Sequence, residues 1–169
     1  RAGALKLIKS LQENEAKINS VGIQAHWQLT SPSLEEIEKS ILAFSELGVK
    51  VMFTELDISV LPNPWELSGA EVTQNFKKFK GDKKMNPFPN NLPNSMKIKL
   101  ADRYENIFKL FLKHKEKISR VTFWGVTDKF SWLNDWPIEG RTDYPLLFDR
   151  DYEEKKAYQR IMNLNTPIN

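Results

Sequence analysis

Apolar residues recur at helical spacing in four stretches of this 169-residue chain. The helices that this spacing predicts cover about residues 5–14, 33–48, 96–117 and 152–164. The second has the clearest limits, because Ser33 and Glu36 form a capping box at its start and Gly48 stands at its end. Apolar runs at about 21–27, 49–61 and 120–127 predict three strands between the helices. The middle run is apolar at successive positions, as expected for a parallel strand buried on both faces.

Two long stretches interrupt this alternation. Residues 62–95 hold five of the nine prolines and show no sustained periodicity, and residues 128–150 are also irregular, so both are predicted to be long loops. The alternation of strands and helices otherwise indicates right-handed βα units on a parallel sheet. Three strands cannot close a barrel, and in an open sheet the outer strands would leave apolar edges unpaired. The pattern therefore indicates that this chain is one part of a larger α/β fold.

Composition narrows the possible classes of function. The chain has no cysteine, which excludes disulfide scaffolds and thiol catalysis, and His26 and His114 lack metal-ligand spacing, so no metal is expected. The net charge of +3 arises largely from lysines at 77–84 in a predicted loop, so nucleic acid is not an expected partner. Neither a membrane span nor a signal peptide is indicated, and the chain is expected to begin as mature protein or within a domain.

Polar and aromatic residues gather near the carboxyl ends of the three predicted strands, where parallel α/β sheets bind their ligands. They are Gln24, His26 and Trp27 on the first strand, Glu55 and Asp57 on the second, and Trp124, Thr127 and Asp128 on the third. Carboxylates, imidazole, amide and indoles together suit a sugar, whose hydroxyls take hydrogen bonds and whose CH face stacks on aromatic rings. No glycine-rich phosphate loop accompanies them, and no cofactor is expected.

Glu55 and Asp57 are two residues apart on a strand, so their side chains point to the same face. Burial of two adjacent anions is costly unless they are paired or hydrogen-bonded. The spacing leaves two arrangements open, in which the carboxylates either cap the strand end in solvent or share a buried partner. His26, at the same level of the neighbouring strand, is placed to bridge them, although it fits equally a core histidine bonded to a backbone carbonyl.

Four segments of the chain resemble one enzyme family. GIQAHW at 22–27, TELDIS at 54–59 and VTFWGVTDKFSWL at 121–133, followed by PLLFD at 145–149, are similar in order and spacing to the last three strands of glycoside hydrolase family 10, chiefly endo-1,4-β-xylanases. The resemblance covers most of the chain outside residues 62–95. It implies that residues 1–169 form the C-terminal part, about strands six to eight, of a TIM (β/α)8 barrel with a loop excursion at 62–95, since a complete barrel needs about 250 residues.

The same resemblance assigns roles to the strand-end residues. Glu55 corresponds to the catalytic nucleophile, which forms a covalent glycosyl-enzyme. His26 corresponds to the histidine that hydrogen-bonds this nucleophile, Asp57 to the carboxylate that orients the histidine, and Gln24 to a polar neighbour. Such a set keeps a nucleophile ionised and aimed at its substrate.

Aromatic and basic residues in the loops complete the predicted sugar site. Trp124 and Trp132 correspond to tryptophans that wall the sugar next to the cleavage point. Arg141 and Tyr144, in the loop after the last strand, are candidate contacts to xylan on the leaving-group side. Trp65 is either an additional sugar platform or part of the loop packing. Trp27 has no assigned chemistry and is expected in the core.

The family's general acid/base is a glutamate in an Asn-Glu pair after strand four, and this chain has no such pair in a matching context. Asn14-Glu15 follows the first predicted helix instead. Asp57 cannot take this role, because it approaches the sugar from the side of Glu55, whereas the two catalytic groups must flank the scissile bond. The N-terminal part of the same barrel is therefore an expected partner, and the chain alone is expected to be inactive.

The resemblance thus predicts a retaining endo-1,4-β-xylanase that acts on xylan or xylo-oligosaccharides, located outside the cell, at its surface or in the periplasm. The alternative is a non-catalytic carbohydrate-binding barrel fragment. It is disfavoured because Glu55, Asp57 and His26 are all present, and a protein that only binds sugar has no need for this set. A phosphate-binding isomerase barrel is disfavoured, because no glycine-rich phosphate loop follows the last strands.

Overall fold

The computed structural model describes residues 1–64 and 76–164 of the chain. The helices are α1 (Ala2–Glu13), α2 (Leu34–Ser45), α3 (Asn94–Lys113) and α4 (Lys156–Asn163). The strands are β1 (Ser20–Ile23), β2 (His26–Gln28), β3 (Lys50–Ser59) and β4 (Ile118–Phe123). Short 3-10 turns cover Phe76–Phe79, Asp128–Phe130 and Trp132–Asn134. None of the described helices combines the length and the apolar character needed to cross a bilayer.

Strand β3 lies at the centre of the sheet and pairs in parallel with β1, β2 and β4. Val51 on β3 is paired both with Val21 on β1 and with Ile118 on β4, so β1 and β4 lie on opposite sides of β3. Strand β2 continues along the side of β1. The predicted parallel sheet with helical crossovers is therefore confirmed, and its carboxyl edge is formed by the ends of β2, β3 and β4.

The first predicted strand, at 21–27, is interrupted at Gln24 and Ala25. Across this interruption the pairing offset to β3 increases by one residue, and Ala25 has a positive φ of 71°. The extra residue lies on β3, between Phe53 and Asp57, and a bulge of this kind re-aims the side chains near the end of a strand. Hydrophobic alternation gives no signal for it, because each residue of the segment is individually compatible with a strand. Here it places His26 beside the end of β3.

The main core lies between β3 and the two helices that follow β2 and β3. Val51 and Phe53 on β3 are fully buried, and the ring of Phe53 stacks on that of Phe111 at 4.2 Å between centroids. Helices α2 and α3 cover this face with buried apolar side chains, among them Ile37, Ile41, Phe44, Leu100, Ile107 and Phe111. Trp27 packs edge-on against Phe53 in this core, as the sequence analysis expects.

Several element limits differ from the predicted ones for local reasons. The Ser33 hydroxyl accepts a hydrogen bond from the Glu36 amide, whereas the Glu36 carboxylate pairs with Lys39, so only half of the capping box forms. Helix α4 begins at Lys156 rather than near 152, because Tyr152 has a positive φ of 69°. Strand β4 ends before the predicted limit of 127, since the chain turns at a glycine with a φ of 134°.

The loop excursion after β3 packs against the segment that follows β4. Phe76 and Met85 from the excursion and Ile138 from the later segment form a small apolar cluster separate from the main core. The two loops are therefore one packed unit next to the carboxyl edge of the sheet. Trp65, the candidate sugar platform, lies outside the described residues.

Candidate active site

Three titratable side chains meet at the carboxyl edge of the sheet. His26, on β2, lies between two residues of β3, with Nε2 3.0 Å from Glu55 Oε2 and Nδ1 3.1 Å from Asp57 Oδ1. The Asp57 side chain is only 1% exposed, while that of Glu55 is 21% exposed. Of the arrangements that the sequence left open, the structure has the one in which both carboxylates share the histidine.

Both carboxylate oxygens of Asp57 are engaged. Oδ1 faces His26, and Oδ2 accepts a hydrogen bond from the indole Nε1 of Trp132 at 2.8 Å. An ionised carboxylate only accepts, so the His26 Nδ1 carries a proton and donates it to Asp57. This contact fixes the orientation of the imidazole ring and leaves Nε2 directed at Glu55.

The pKa of His26 is raised from 6.5. The hydrogen bond to Asp57 is the largest cause, the charges of Asp57 and Glu55 and the hydrogen bond to Glu55 act in the same direction, and partial burial opposes them. Below this raised pKa the ring is an imidazolium that donates to both carboxylates at once. The proton between His26 and Glu55 therefore belongs to the histidine whenever Glu55 is ionised.

Glu55 has one oxygen held by His26 and a second oxygen that is more loosely held. Its Oε1 lies 3.5 Å from the side-chain amide of Gln24, a long contact for a hydrogen bond. Gln24 thus lies where the sequence analysis placed it, beside the carboxylate. The geometry leaves Oε1 as the oxygen of Glu55 that is available to a reacting partner.

Two tryptophans flank the histidine. The Trp132 ring is tilted over His26 with centroids 4.9 Å apart, and Trp124 meets the same imidazole edge-on at 6.4 Å. Trp124 is 47% exposed and the backbone amide of this residue donates to the carbonyl of Leu56 on β3. The structure therefore brings both predicted wall residues to the carboxylate pair.

The two other predicted sugar contacts lie in different places. Arg141 lines a cleft of about 220 Å³ together with His26, Asp57 and Trp132. Its guanidinium is largely buried and donates from Nη2 to the carbonyl of Pro62 at 2.9 Å, and this burial lowers the pKa of Arg141.

Tyr144 lines a separate cavity of about 340 Å³ beside the start of α4. Its hydroxyl donates to the carbonyl of Phe88 at 2.7 Å, and its ring lies below the guanidinium of Arg150 at 5.4 Å. Tyr144 does not line the cleft that contains His26. Its contacts therefore do not support its predicted role in substrate binding.

A buried carboxylate that the sequence analysis missed joins the end of β3 to the loop after β4. Asp143 accepts hydrogen bonds from the Ser59 hydroxyl at 2.5 Å, the Val60 amide at 3.1 Å and the Tyr144 amide at 2.8 Å. Burial raises the pKa of Asp143. An aspartate in an irregular segment gives no pattern from which such burial could be predicted.

A second buried pair anchors the same loop to α4. The Lys155 ammonium lies 2.8 Å from Asp128 Oδ2 and also donates to the carbonyls of Tyr144 and Leu146. The other Asp128 oxygen accepts from the Leu146 amide at 2.8 Å. Burial raises the pKa of Asp128 to about 6 and lowers that of Lys155. Asp128, noted in the sequence only as a strand-end residue, therefore holds the loop in place.

Asn134 fixes the turn that presents Trp132. Its amide nitrogen donates to the carbonyl of Asp128 at 2.9 Å, while its side-chain oxygen accepts from Arg150 at 2.7 Å and from the Asp143 amide at 3.1 Å. Because Trp132 and Asn134 share one turn, these bonds help to hold the indole on Asp57. Among the described residues, no group of three or more potential metal-binding His, Asp or Glu side chains occurs.

Fold and site together define the class as a parallel α/β protein, with a carboxylate, imidazole and carboxylate set at the carboxyl edge of its sheet. The sequence model of glycosyl hydrolase family 10 matches residues 1–164, and the chain belongs to this family. Among curated relatives, the endo-1,4-beta-xylanase A of Xylanibacter ruminicola is 43% identical over 164 residues. The alignment covers 97% of this chain and 44% of that relative. The beta-1,4-xylanase of Dictyoglomus thermophilum is 39% identical, with 96% and 41% covered.

Solved structures of the family agree with this assignment. A GH10 endoxylanase retrieved from a sugarcane soil metagenome superposes with a TM-score of 0.85 at 43% identity, covering 96% of this chain and 44% of that protein. The Thermobacillus composti GH10 xylanase superposes with a TM-score of 0.76 at 32% identity, covering 96% of this chain and 47% of that protein. The chain thus spans less than half the length of these relatives and corresponds to the C-terminal part of a TIM barrel, as predicted.

Proposed function

We propose that the complete protein is a retaining endo-1,4-β-xylanase that hydrolyses xylan and xylo-oligosaccharides, with Glu55 as its nucleophile. The observation that carries this proposal is the single imidazole of His26 held between Glu55 and Asp57. A nucleophilic carboxylate must be ionised and directed at the reacting carbon, and an imidazolium bonded to one of its oxygens meets both requirements. Family membership and the names of the xylanase relatives support the substrate class.

In the first step, Glu55 Oε1 attacks the anomeric carbon of the xylose unit as the bond from that carbon to the glycosidic oxygen breaks. The general acid protonates the departing oxygen, and the xylosyl unit becomes an ester of Glu55. In the second step, the same group, now a base, takes a proton from water, whose oxygen attacks the anomeric carbon and releases the Glu55 carboxylate. His26 holds Oε2 throughout, and Trp124 and Trp132 wall the sugar.

We infer that the acid/base belongs to the N-terminal part of the barrel. Retaining hydrolysis needs a second carboxyl group about 5 to 5.5 Å from the nucleophile, across the scissile bond. Asp57 is unsuited, since both of its oxygens are engaged and it projects from the strand of Glu55. Asn14 and Glu15 connect α1 to the start of β1, at the opposite end of the sheet from the site. We therefore infer that the described part of this chain supplies one of the two catalytic groups and the N-terminal part of the barrel supplies the other.

The proposed nucleophile is tested by covalent trapping in the complete protein. An activated 2-deoxy-2-fluoro xylobioside should label Glu55, and mass spectrometry of the digested protein should locate the label on the peptide that contains it. Glu55→Gln should abolish labelling and lower kcat by at least about a thousandfold. Asp57→Asn is the matched control, because it alters the neighbouring carboxylate and should slow labelling without moving its site. A label on another residue, or full activity in Glu55→Gln, would remove Glu55 from this role.

The alternative function is that of a non-catalytic carbohydrate-binding fragment. Such a function does not require the contact between His26 and Glu55. Its signature would be xylan binding by the complete protein with neither turnover nor labelling. Location outside the cell stays a prediction from the family resemblance.

A further inference from the structure

We propose that Trp136 is a sugar-stacking platform that binds a xylose unit of the substrate other than the unit being cleaved. This proposal rests on the proposed function. Trp136 lines the same cleft of about 220 Å³ as His26, Asp57 and Trp132. It is 51% exposed, although a tryptophan buries a large apolar ring and is usually well covered.

The cleft lies on the side of His26 and Asp57, and residues of the loops after β3 and β4 contribute to its lining. Trp132 donates to Asp57 within this lining, and Trp136 and Pro137 follow it in the same loop. Asn63 and Pro64, from the loop after β3, line the same cleft. An exposed indole in a cleft that also has polar lining groups matches the CH face and hydroxyls of a sugar ring. Since Trp132 and Trp124 already flank His26, the Trp136 ring is placed to contact the next part of the polymer rather than the reacting unit.

The loop that carries Trp136 is internally fixed. The Asp135 carboxylate accepts a hydrogen bond from the Gly140 amide at 3.1 Å, which closes the turn around Trp136. A platform that is ordered before the substrate arrives loses less conformational entropy on binding.

The loop excursion after β3 braces this turn from outside. Asn86 donates from its side-chain nitrogen to the Gly140 carbonyl at 3.3 Å and accepts from the Thr142 amide at 3.1 Å. Lys80 pairs with Glu139 at 2.8 Å. The excursion, which has no chemistry of its own in the proposed mechanism, thereby acquires a function as support for a binding wall.

The dependence of activity on substrate length tests the platform in the complete protein. In Trp136→Ala, kcat/KM for xylohexaose should fall by about tenfold, the effect expected when an aromatic anchor is truncated. Hydrolysis of an aryl β-xyloside, which has a single sugar, should remain at the wild-type rate. Trp136→Tyr should recover most of the loss, because it restores an aromatic face.

Phe130→Ala is the matched control, since Phe130 is also an exposed aromatic residue of this loop but does not line the cleft. It should leave both substrates unaffected. Equal losses on both substrates in Trp136→Ala, or no loss on xylohexaose, would overturn the platform. A wild-type protein that turns over neither substrate would instead contradict the proposed function, so the two failures are distinguishable.

Discussion

At the scale of single residues, the site depends on how the protons of one imidazole are shared. His26 donates from Nδ1 to a carboxylate whose other oxygen is occupied by an indole, and this leaves Nε2 committed to Glu55. The charge of Glu55 and the protonation of His26 are therefore linked. In the proposed mechanism Glu55 becomes an ester, which removes one of the two negative charges that favour the imidazolium, so the pKa of His26 should fall during the reaction.

Asp57→Asn should lower the pKa of His26, because it removes the largest cause of the upward shift. The folded pKa is raised, so this contact stabilises the protein fully below the unfolded value of about 6.5 and ceases to do so as pH rises through the folded value. Nitrogen NMR titration of the complete, labelled protein measures the shift directly. The imidazole signals of His114, the other histidine of this chain, supply an internal reference. An unchanged His26 titration would contradict the assigned hydrogen bond.

The sequence predicted the residues of the site better than their contacts. Gln24, His26, Glu55 and Asp57 could be found because strand ends of parallel sheets converge at one edge. Tyr144 could not be placed, because its hydroxyl contacts a backbone carbonyl in a loop whose path has no periodic signal.

At the scale of elements, buried polar contacts rather than regular structure hold the loop after β4. Asp128 and Lys155 connect the beginning of this loop to the start of α4, and Asp143 connects its middle to the end of β3. These contacts explain why a stretch with no helical or strand pattern still presents Trp132 in a defined position. They also explain the late start of α4, because Lys155, the residue before it, extends into the loop.

Asp128→Asn should destabilise the complete protein by about 3 to 5 kcal/mol, because it leaves the buried ammonium of Lys155 without its counter-charge. The control is Asp128→Asn combined with Lys155→Met, which removes the unpaired charge and should recover part of the loss. Urea unfolding at neutral pH measures both variants. A cost below about 1 kcal/mol for the single variant would mean that the pair does not anchor the loop.

The element order was predictable, since apolar periodicity records which faces are buried. The interruption at Ala25 and the positive φ of Tyr152 could not be predicted from this periodicity, because each is the backbone conformation of a single residue. The path of residues 76–92 could not be predicted from the sequence either. Its small apolar cluster includes Ile138, which comes from a distant segment.

At the scale of the whole molecule, the described sheet is open on both sides. β1 and β4 each pair only with β3 among the described strands, so each presents a row of backbone groups that another strand can use. The alignments to solved relatives cover 44% and 47% of those proteins. Closure of the barrel therefore requires strands from outside this chain.

The isolated chain should self-associate, because its described strand edges are unpaired. It should not hydrolyse xylan, because the proposed acid/base belongs to the N-terminal part of the barrel. Sedimentation velocity measures the association, and release of reducing sugar measures the activity. Co-expression with the N-terminal part of the barrel should yield a single complex that hydrolyses xylan. Efficient hydrolysis by the pure isolated chain would show that a residue within it serves as acid/base.

The bracing of the Trp136 loop also bears on how such enzymes diversify. The described contacts that hold this wall, through Asn86, Lys80 and Asp135, all lie within the same polypeptide segment as Glu55 and His26. A recombination event that exchanges this part of the gene therefore transfers Glu55, His26 and the adjoining loop as one heritable block. Under the proposed mechanism the acid/base would come from the other parent, so the proposed nucleophile and the proposed Trp136 platform would be inherited together.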